Sequence, residues 1–460
     1  RSSDLFTKTQ EMKRILAAIS ILLLSLPVAA QWTTQSLGTS NNVNSVNFFG
    51  TTDIWITSGS GLHKSTNNGS SFTTYPLQMS SGTAWLTSSL NDVAIINSTT
   101  AFGAGFFFLG NDEFIVKTID GGAHWDSSLW VSNTFLADHR AVDFPTATTG
   151  YVAGWQGRVF KTTNGGASWS LPYFNTAVTW QDMIFTSANE GVIAGDGGII
   201  RTTNGVAFNQ VLTTTGTLNA VDMIGTTGFA GGSTSSGMLF KTTDGGATWT
   251  SLSFNYGDVR ALSMINASTI VVATVNELYK STDGGIYWEK FALPSGATPV
   301  FTNVNFRDAN TGYAVGNSGY CIKTSNGGGS TFPISAFTSP SGPYCEGNTY
   351  TFTNTTNPSY SFQWLLNNNV IGTSYNLNYT FNVPGNNTLA LVSYNGVNYD
   401  TVSQSIIVNA QHFVNPLVYD LDTICPGGAA TIEVFNSQTG ISYLLRNGLT
   451  AIGSAQNGNG

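Results

Sequence analysis

The stretch Thr242-Thr243-Asp244-Gly245-Gly246 is one copy of a five-residue box that occurs seven times in this chain of 460 residues. Every copy has a Ser or Thr, an Asn or Asp two positions later, and Gly close behind. The seven Asn or Asp residues are Asn67, Asp120, Asn164, Asn204, Asp244, Asp283 and Asn326. Their spacing is about 40 residues in most cases, which identifies the chain as a repeat protein.

Each box follows the same series of short apolar segments. In the third repeat these are Val142-Asp143-Phe144, then the Gly-bounded segment Gly150–Gly154, then Arg158–Lys161 leading into the box, with Trp169 just after it. Alternating apolar residues between Gly-rich turns are typical of short strands. Four short strands per repeat, seven times over, predict a seven-bladed β-propeller from residue 31 to about 335, in which only short edges stay open.

The box itself is predicted to be a structural turn. Asn and Asp tolerate a left-handed backbone, Gly supplies positive φ, and a Ser or Thr hydroxyl caps the turn. The fourth box has Val206 in place of its second Gly, and Pro333 follows the seventh box, where Pro would interrupt a strand ladder. Because Trp32–Leu37 resembles the segment after a box, we expect it to supply the outer strand of the last repeat and to close the ring.

The box resembles the Asp-box of BNR repeats, and the whole unit resembles the repeats of photosystem II assembly and stability factors. That resemblance covers residues 31 to about 335. It implies that the boxes are structural and lie on the face opposite a binding site. Taken literally, it would also imply a role in photosystem II assembly, which is one alternative for the function of this chain.

The N-terminal region is predicted to direct export. Met12-Lys13-Arg14 precedes the apolar run Ile15–Leu26, and Val28-Ala29-Ala30 ends in a small-x-small pattern. These are the three parts of a cleavable signal peptide, here Met12–Ala30, and the apolar run is too short to span a bilayer. We therefore expect cleavage after Ala30 and a secreted or outer-surface location, and residues 1–11 are left out of the fold.

The C-terminal part has a different pattern. Residues 336–409 contain alternating strands, Trp364 near their middle and a Pro384-Gly385 turn, which predict a β-sandwich. This segment resembles a PKD-like or Ig-like module of Bacteroidetes surface proteins, many of which end in a type IX secretion sorting domain. Residues 410–460 resemble the start of a second such module, and we expect the chain to be a fragment of a longer protein.

Composition argues against several classes of function. Only 9% of residues are charged and the net charge is −8, so the basic face that nucleic acid binding needs is missing. Cys321, Cys345 and Cys425 lie far apart, and the four His residues have no metal-ligand spacing. The sequence therefore predicts neither a metal nor a cofactor.

The sequence also does not favour an enzyme. A sialidase, the best-known Asp-box enzyme, needs an arginine trio, and a glycosidase needs two facing carboxylates. The candidate carboxylates form no evident pair; they are Asp112, Glu113, Asp138, Asp196 and Asp258. Seven of the 13 basic residues after the signal peptide fall instead in one repeating column that we expect at a solvated strand end, namely Lys64, Lys117, Lys161, Arg201, Lys241, Lys280 and Lys323. A polysaccharide-acting hydrolase, sialidase-like or xyloglucanase-like, is the main alternative to a binding protein.

A second repeating column is the candidate binding site. Two residues before the first apolar residue of each innermost strand stand Asn44, Asn91, Arg140, Gln181, Asn219, Arg260 and Thr302. All are polar and none is acidic, and we expect them to surround one mouth of the central channel, with Trp85, Trp130, Tyr173, Trp180 and Tyr256 on the entering loops. Such a mouth suits the binding of a peptide or glycan to a monomeric propeller. The alternative is that these residues are polar only because a channel mouth is exposed to solvent.

Overall fold

The computed structural model describes residues 32–59, 61–82, 89–106, 112–132, 138–233, 238–296, 298–329, 331–410, 417–419, 432–434, 439–444, 446–447, 450–451 and 454–458. Contacts divide the chain into two compact units, residues 1–334 with 394–400, and residues 335–393 with 401–460. Apart from a 3-10 turn at Trp155–Gly157, these described residues are strands and loops. None of them belongs to a helix that is long and apolar enough to cross a membrane. The predicted signal peptide lies outside the described residues, as do Trp85, His412 and Cys425.

The first unit is built from short strands. In chain order they are β1 (Thr33–Thr34), β2 (Val43–Phe49), β3 (Asp53–Ser58), β4 (Gly61–Ser65), β5 (Thr73–Tyr75), β6 (Ser89–Ile95), β7 (Ala101–Phe106), β8 (Asp112–Thr118), β9 (Asp126–Ser132), β10 (His139–Asp143), β11 (Gly150–Gly154), β12 (Val159–Thr162), β13 (Ser170–Tyr173), β14 (Trp180–Phe185), β15 (Gly191–Thr202), β16 (Phe208–Ile224), β17 (Thr227–Ser233), β18 (Met238–Thr242), β19 (Thr250–Leu252), β20 (Ala261–Met264), β21 (Ile270–Ala273), β22 (Leu278–Ser281), β23 (Glu289–Phe291), β24 (Phe301–Phe306), β25 (Gly312–Gly316), β26 (Cys321–Thr324) and β27 (Thr331–Phe332).

The strands form antiparallel meanders that follow the sequence repeats. Repeats 1, 2 and 3 are the four-stranded sheets β2–β5, β6–β9 and β10–β13. Repeats 4 and 5 share one six-stranded sheet, β14–β19, because β16 pairs with β15 in its first half and with β17 in its second half. Repeat 6 is β20–β23 with β27 added at the outer edge, and repeat 7 is β24–β26 with β1.

The first strands of the repeats, which we call the inner strands, form a closed circuit. They are β2, β6, β10, β14, the second half of β16, β20 and β24, and each packs beside the next, with β24 beside β2. The predicted closure by the N-terminal segment is confirmed by the pairing of β1 with β26, in the register Thr33↔Lys323 and Thr34↔Ile322. After the seventh box the chain pairs with β23 instead, as Phe332 with Lys290.

The boxes form tight turns held by their own side chains. In the second box the Thr118 hydroxyl lies 2.9 Å from Asp120 Oδ1 and accepts the Gly122 amide at 2.9 Å, while Asp120 accepts the His124 amide at 3.0 Å. Gly122 has φ +96°, a conformation that L side chains rarely adopt. In the fourth box the Thr202 hydroxyl accepts from Gly205 instead, one residue earlier.

The basic column is not solvated at a strand end, and that expectation is wrong. The side chains are buried or half-buried, and Lys64 Nζ lies 4.4 Å from the ring centre of Trp55, its cross-strand partner. Five members donate to a carbonyl within the next repeat's box: Lys64 to Gly121, Lys117 to Gly165, Arg201 to Gly245, Lys241 to Gly284, and Lys323 to Asn68 across the closure. The left-handed turn leaves that carbonyl free, and a cation from the preceding repeat satisfies it.

The second unit contains two sheets around one core. Its strands are β28 (Phe337–Thr338), β29 (Tyr344–Cys345), β30 (Thr349–Asn354), β31 (Ser361–Leu366), β32 (Asn369–Gly372), β33 (Leu377–Thr380), β34 (Gly385–Tyr394) and β35 (Tyr399–Asn409), then the short pieces β36 (Leu417–Tyr419), β37 (Ile432–Val434), β38 (Ser442–Tyr443), β39 (Arg446–Asn447), β40 (Thr450–Ala451) and β41 (Gln456–Asn457). The sheets run β28-β30-β33 and β29-β35-β34-β31-β32. Trp364 is buried between them with Phe352 and Leu391.

Candidate functional site

The second repeating column of the sequence (Asn44 to Thr302, here the ring column) lines one cavity of about 540 Å³. Six of its members are the extra residue of a β-bulge at the start of an inner strand; for example, the register skips Arg140 between His139 and Ala141. A bulge turns the side chain away from its regular direction. The residue before each bulge is buried in every repeat, whereas the bulged residue faces the cavity.

The ring column lies at the opposite end of the sheets from the boxes. In repeat 1 the antiparallel register places Val43 beside Ser58 at one end and Ile54 beside Ser65, the first residue of the box, at the other. The same arrangement holds in repeat 3, where His139 pairs with Gly154 and Gly150 pairs with Thr162. The boxes are therefore remote from the cavity mouth that the ring column surrounds.

Four members of the ring column join neighbouring repeats. The amide nitrogens of three of them donate to the carbonyl just before the next ring residue, Asn44 to Leu90 at 2.7 Å, Asn91 to His139 at 2.8 Å, and Asn219 to Val259 at 2.7 Å. The Thr302 hydroxyl donates in the same way to Val43 across the closure. Their side-chain donors thus serve the fold, while in the described part of the chain no group donates to the side-chain oxygens of the three Asn residues.

Arg140, Gln181 and Arg260 do not make this bond. Arg140 Nε pairs with Asp138 Oδ2 at 2.6 Å, and in the described part of the chain neither Gln181 nor Arg260 has a polar side-chain partner. Both arginines are exposed. The mouth therefore offers a ligand two cations, Arg140 in repeat 3 and Arg260 in repeat 6, and the side-chain amide of Gln181 in repeat 4.

This division predicts different effects for two Ala variants. Asn219→Ala should lower the free energy of unfolding by about 1 kcal/mol because it removes a bond to a buried carbonyl. Arg260→Ala should change it by no more than about 0.5 kcal/mol because the side chain is exposed and unpartnered. Urea denaturation followed by circular dichroism measures both. Equal losses in the two variants would contradict the assignment of separate roles.

Below the ring column, polar side chains form a belt that crosses every boundary between repeats. Asp92, Asp143, Asp182 and Asp222 accept the backbone amides of Val142, Phe185, Val221 and Met264, each in the next repeat, at 2.6–3.2 Å. Asn47 joins repeat 1 to Asp92, Ser263 accepts from Phe306, and Asn305 donates to Val46, which completes the circuit. The sequence analysis missed this belt, although Asp within an apolar inner strand, as in Val142-Asp143-Phe144, is an unusual signal.

The belt carboxylates are hard to ionise. Burial raises the pKa of Asp143 to about 7, of Asp182 to about 8 and of Asp222 to about 6, and it also raises the pKa of Asp92. The side chains keep some solvent contact through the cavity, but protein surrounds them closely on the other sides. The accepted backbone amides oppose the shift, and neighbouring belt carboxylates add to it for Asp143 and Asp182.

The three predicted aromatic side chains that the structure describes do not line the cavity. Trp180 was expected on an entering loop, and this is wrong: it is the buried residue before a bulge, 1% exposed, and its indole donates to Gly157 at 3.1 Å. Tyr173 packs against Trp180, and Tyr256 stacks on Tyr279. Trp85 and the side chain of Trp130 lie outside the described residues.

Two of the candidate carboxylates, Asp138 and Asp196, have other polar partners, and the side chains of Asp112 and Glu113 lie outside the described residues. Asp138 accepts Asn91 at 2.6 Å besides Arg140, and burial raises its pKa against the opposing effect of Arg140. Asp196 accepts the Thr217 hydroxyl at 2.7 Å. No group of three or more His, Cys, Asp or Glu residues suited to a metal ion occurs in the described part of the chain.

Comparison with known proteins supports the fold. No family model matches the chain. The photosystem II assembly lipoprotein Ycf48 of Synechococcus sp. (strain CC9902) is 30% identical over 82 residues, which is 18% of this chain. The chain spans about a quarter of the length of that curated relative.

Three solved structures illustrate the structural similarity. Ycf48 bound to D1 peptide has a TM-score of 0.53 and 14% identity, covering 64% of this chain and 96% of that chain. Ycf48 from Cyanidioschyzon merolae has a TM-score of 0.52 and 14% identity, covering 64% of this chain and 99% of that chain. A GH74 enzyme of Niastella koreensis has a TM-score of 0.51 and 13% identity, covering 89% of this chain and 75% of that chain. The chain therefore contains a β-propeller fold of the type that Ycf48 and GH74 enzymes share.

Proposed function

We propose that residues 31–335 form a seven-bladed β-propeller that acts as a non-catalytic recognition platform and binds a peptide or glycan at the mouth surrounded by the ring column. The observation that carries this proposal is the pair Arg140 and Arg260, two exposed cations on the same cavity in a protein with a net charge of −8. Five other basic residues of the repeats already donate to carbonyls of the boxes. Charged donors at a concave mouth are suited to anchoring a carboxylate.

The comparison with Ycf48 supports a binding role. One of the structures with the same fold is that of Ycf48 bound to D1 peptide, so a propeller of this type accommodates a peptide ligand. At 14% identity the similarity supports the fold alone, and the ligand has to be inferred from the residues at the mouth of this chain.

The proposal extends to the rest of the chain. Met12–Ala30 is proposed to be a signal peptide, cleaved after Ala30, that delivers the protein to the outside or the cell surface. Residues 336–409 are proposed to be a PKD-like or Ig-like module, and residues 410–460 part of a second one, both serving as spacers or adhesive repeats next to a monomeric propeller. The two packed sheets around Trp364 support this proposal.

Replacing both arginines tests the binding role. The double variant Arg140→Ala, Arg260→Ala should weaken the binding of any peptide or glycan identified on binding arrays by at least about 100-fold, since each charge-assisted contact contributes about 1.5–3 kcal/mol. Isothermal titration calorimetry measures the affinity. Lys290→Ala, on the outer strand β23, is the control for loss of a positive charge and should leave the affinity unchanged. Unchanged affinity in the double variant would remove the ring column as a site.

The hydrolase alternative predicts a different result. GH74 enzymes have the same fold at 13% identity, which supports no assignment of activity. Incubation with plant and host glycans should release no product. Turnover that disappears in Asp138→Asn or Asp258→Asn would contradict the non-catalytic proposal.

A further inference from the structure

Trp155 is exposed at the edge of the mouth in repeat 3. It follows Gly154, the last residue of β11, and its side chain is 46% exposed. In repeats 1, 4, 5 and 7 the residue at the same place is smaller, namely Gly59, Asp196, Ser233 and Asn317, whereas in repeat 2 it is Phe106. An exposed indole here has no evident purpose in the fold, because repeats 1, 4, 5 and 7 close this turn with a smaller residue.

The turn that carries Trp155 is held firmly. Its amide donates to the Asp138 carbonyl at 3.0 Å, and the buried Trp180 indole donates to the Gly157 carbonyl at 3.1 Å. Gln156 and Gly157 have φ of +55° and +59°, and a Cβ at residue 157 would lie 2.3 Å from the Asn175 carbonyl oxygen. A ligand that stacks on Trp155 would therefore meet an ordered surface, with little further loss of entropy.

The same residue that binds the Trp155 amide also orients Arg140. Asp138 accepts the Trp155 amide with its main-chain carbonyl and holds Arg140 Nε with its carboxylate at 2.6 Å. In the described part of the chain, no protein group bonds to the two terminal nitrogens of Arg140. Those nitrogens form a planar fork that matches a carboxylate. Trp155 and Arg140 are thus both held by Asp138, the first through its backbone amide and the second through its guanidinium group.

The wall of the cavity is better suited to a sugar than to a peptide backbone. Peptide strands are commonly bound by main-chain hydrogen bonds to an open strand edge. Here the belt already occupies inner-strand amides such as those of Val142, Val221 and Met264. Besides the belt carboxyl groups, which also line the cavity, the mouth offers amide oxygens and guanidinium donors, a mixture that matches hydroxyl groups that both donate and accept. The C–H face of a pyranose ring complements the negative face of an indole.

We propose that the ligand is a glycan containing uronic acid, and that Trp155 stacks on the sugar ring whose carboxylate binds Arg140. This inference rests on the proposed binding function and specifies the class of its ligand. Arg260, across the cavity, then contacts a further part of the chain of sugars, with the amide oxygens of Asn44 and Asn219 as acceptors for hydroxyls.

The test compares three probes by isothermal titration calorimetry on the full chain. These are a galacturonic acid tetramer, the same tetramer with its carboxyl groups methyl-esterified, and an acidic peptide of four Glu residues. We expect the free acid to bind, the ester to bind at least about 10-fold more weakly, and the peptide not to bind. Trp155→Ala should weaken the free acid at least about 10-fold, and Trp155→Phe should restore part of the loss. Ile119→Ala, an exposed apolar residue in a box, is the matched control and should bind normally.

The possible results separate this inference from the proposed function. If the acidic peptide binds in a manner that requires Arg140 and Arg260 while the tetramer does not, the glycan inference is overturned and the binding function stands. If the tetramer binds equally well to Trp155→Ala, the stacking subsite is overturned. If neither charged probe binds to the wild-type chain at millimolar concentration, both are overturned. Circular dichroism spectra of each variant confirm that its fold is intact.

Discussion

Trp32→Ala should lower the free energy of unfolding of the first unit by about 3–5 kcal/mol, the usual cost of truncating a buried Trp. Trp32 is 1% exposed, and its ring lies 5.7 Å from both Phe291 and Phe306 in edge-to-face contacts. Those partners come from repeats 6 and 7, so the indole packs between these two repeats, next to the strand β1 that completes the sheet of repeat 7. The variant leaves a cavity there and weakens the attachment of β1, which exposes the edge of β26.

Urea denaturation followed by circular dichroism measures this loss, because the signal does not depend on the Trp removed. Trp155→Ala is the control, since the same substitution at an exposed turn should cost no more than about 0.5 kcal/mol. A second readout is limited proteolysis, in which the segment around Thr33 should be cut faster in Trp32→Ala. A loss below about 1 kcal/mol would mean that closure does not depend on the N-terminal segment.

Closure was predictable because its signal is local. The stretch from Trp32 to Leu37 resembles the segment that follows a box, and Pro333 marks the place where the regular strand would fail. The structure bears this out with the pairing of Thr33 and Lys323. The ring column was found in the same way, since a polar residue at a fixed distance from an apolar strand repeats in the sequence, and all seven members line one cavity.

Other features could not be predicted because the partner is a backbone atom in another repeat. Lys117 donates to the Gly165 carbonyl, and Asn91 donates to the His139 carbonyl. Every residue has a backbone carbonyl, so the acceptor leaves no pattern in the sequence. The sequence therefore does not distinguish a side-chain amide that joins two repeats from one that is available to a ligand. The position of Trp180 was mispredicted for a related reason, because a one-residue bulge at Gln181 leaves the residue before it buried.

The belt predicts that the first unit is more stable in weak acid than at alkaline pH. The folded-state pKa of Asp143, Asp182 and Asp222 is raised to about 7, 8 and 6, above the ordinary value of 3.8. Between pH 4 and 8 the folded protein therefore binds more protons than the unfolded chain, and the free energy of unfolding falls as pH rises. A pKa difference of one unit between the folded and unfolded states corresponds to about 1.4 kcal/mol. If the pKa of each of the three groups is raised by about one unit, the free energy of unfolding falls by about 4 kcal/mol across this range.

The box residues act in the opposite sense and in a lower pH range. Hydrogen bonds from Thr248 lower the pKa of the exposed Asp244 to about 2, so its contribution is present above pH 4 and is lost as the pH falls through 2. The thermal midpoint should accordingly be highest near pH 4–5 and decline toward pH 8.5. Asp182→Asn stays neutral at every pH while still accepting one backbone amide, so it should flatten the alkaline decline and leave the acid limb unchanged. A thermal midpoint that rises from pH 5 to pH 8 would contradict a belt of protonated carboxyl groups. So would a decline in Asp182→Asn as large as that of the wild-type chain, because this variant has one fewer buried carboxyl group to ionise.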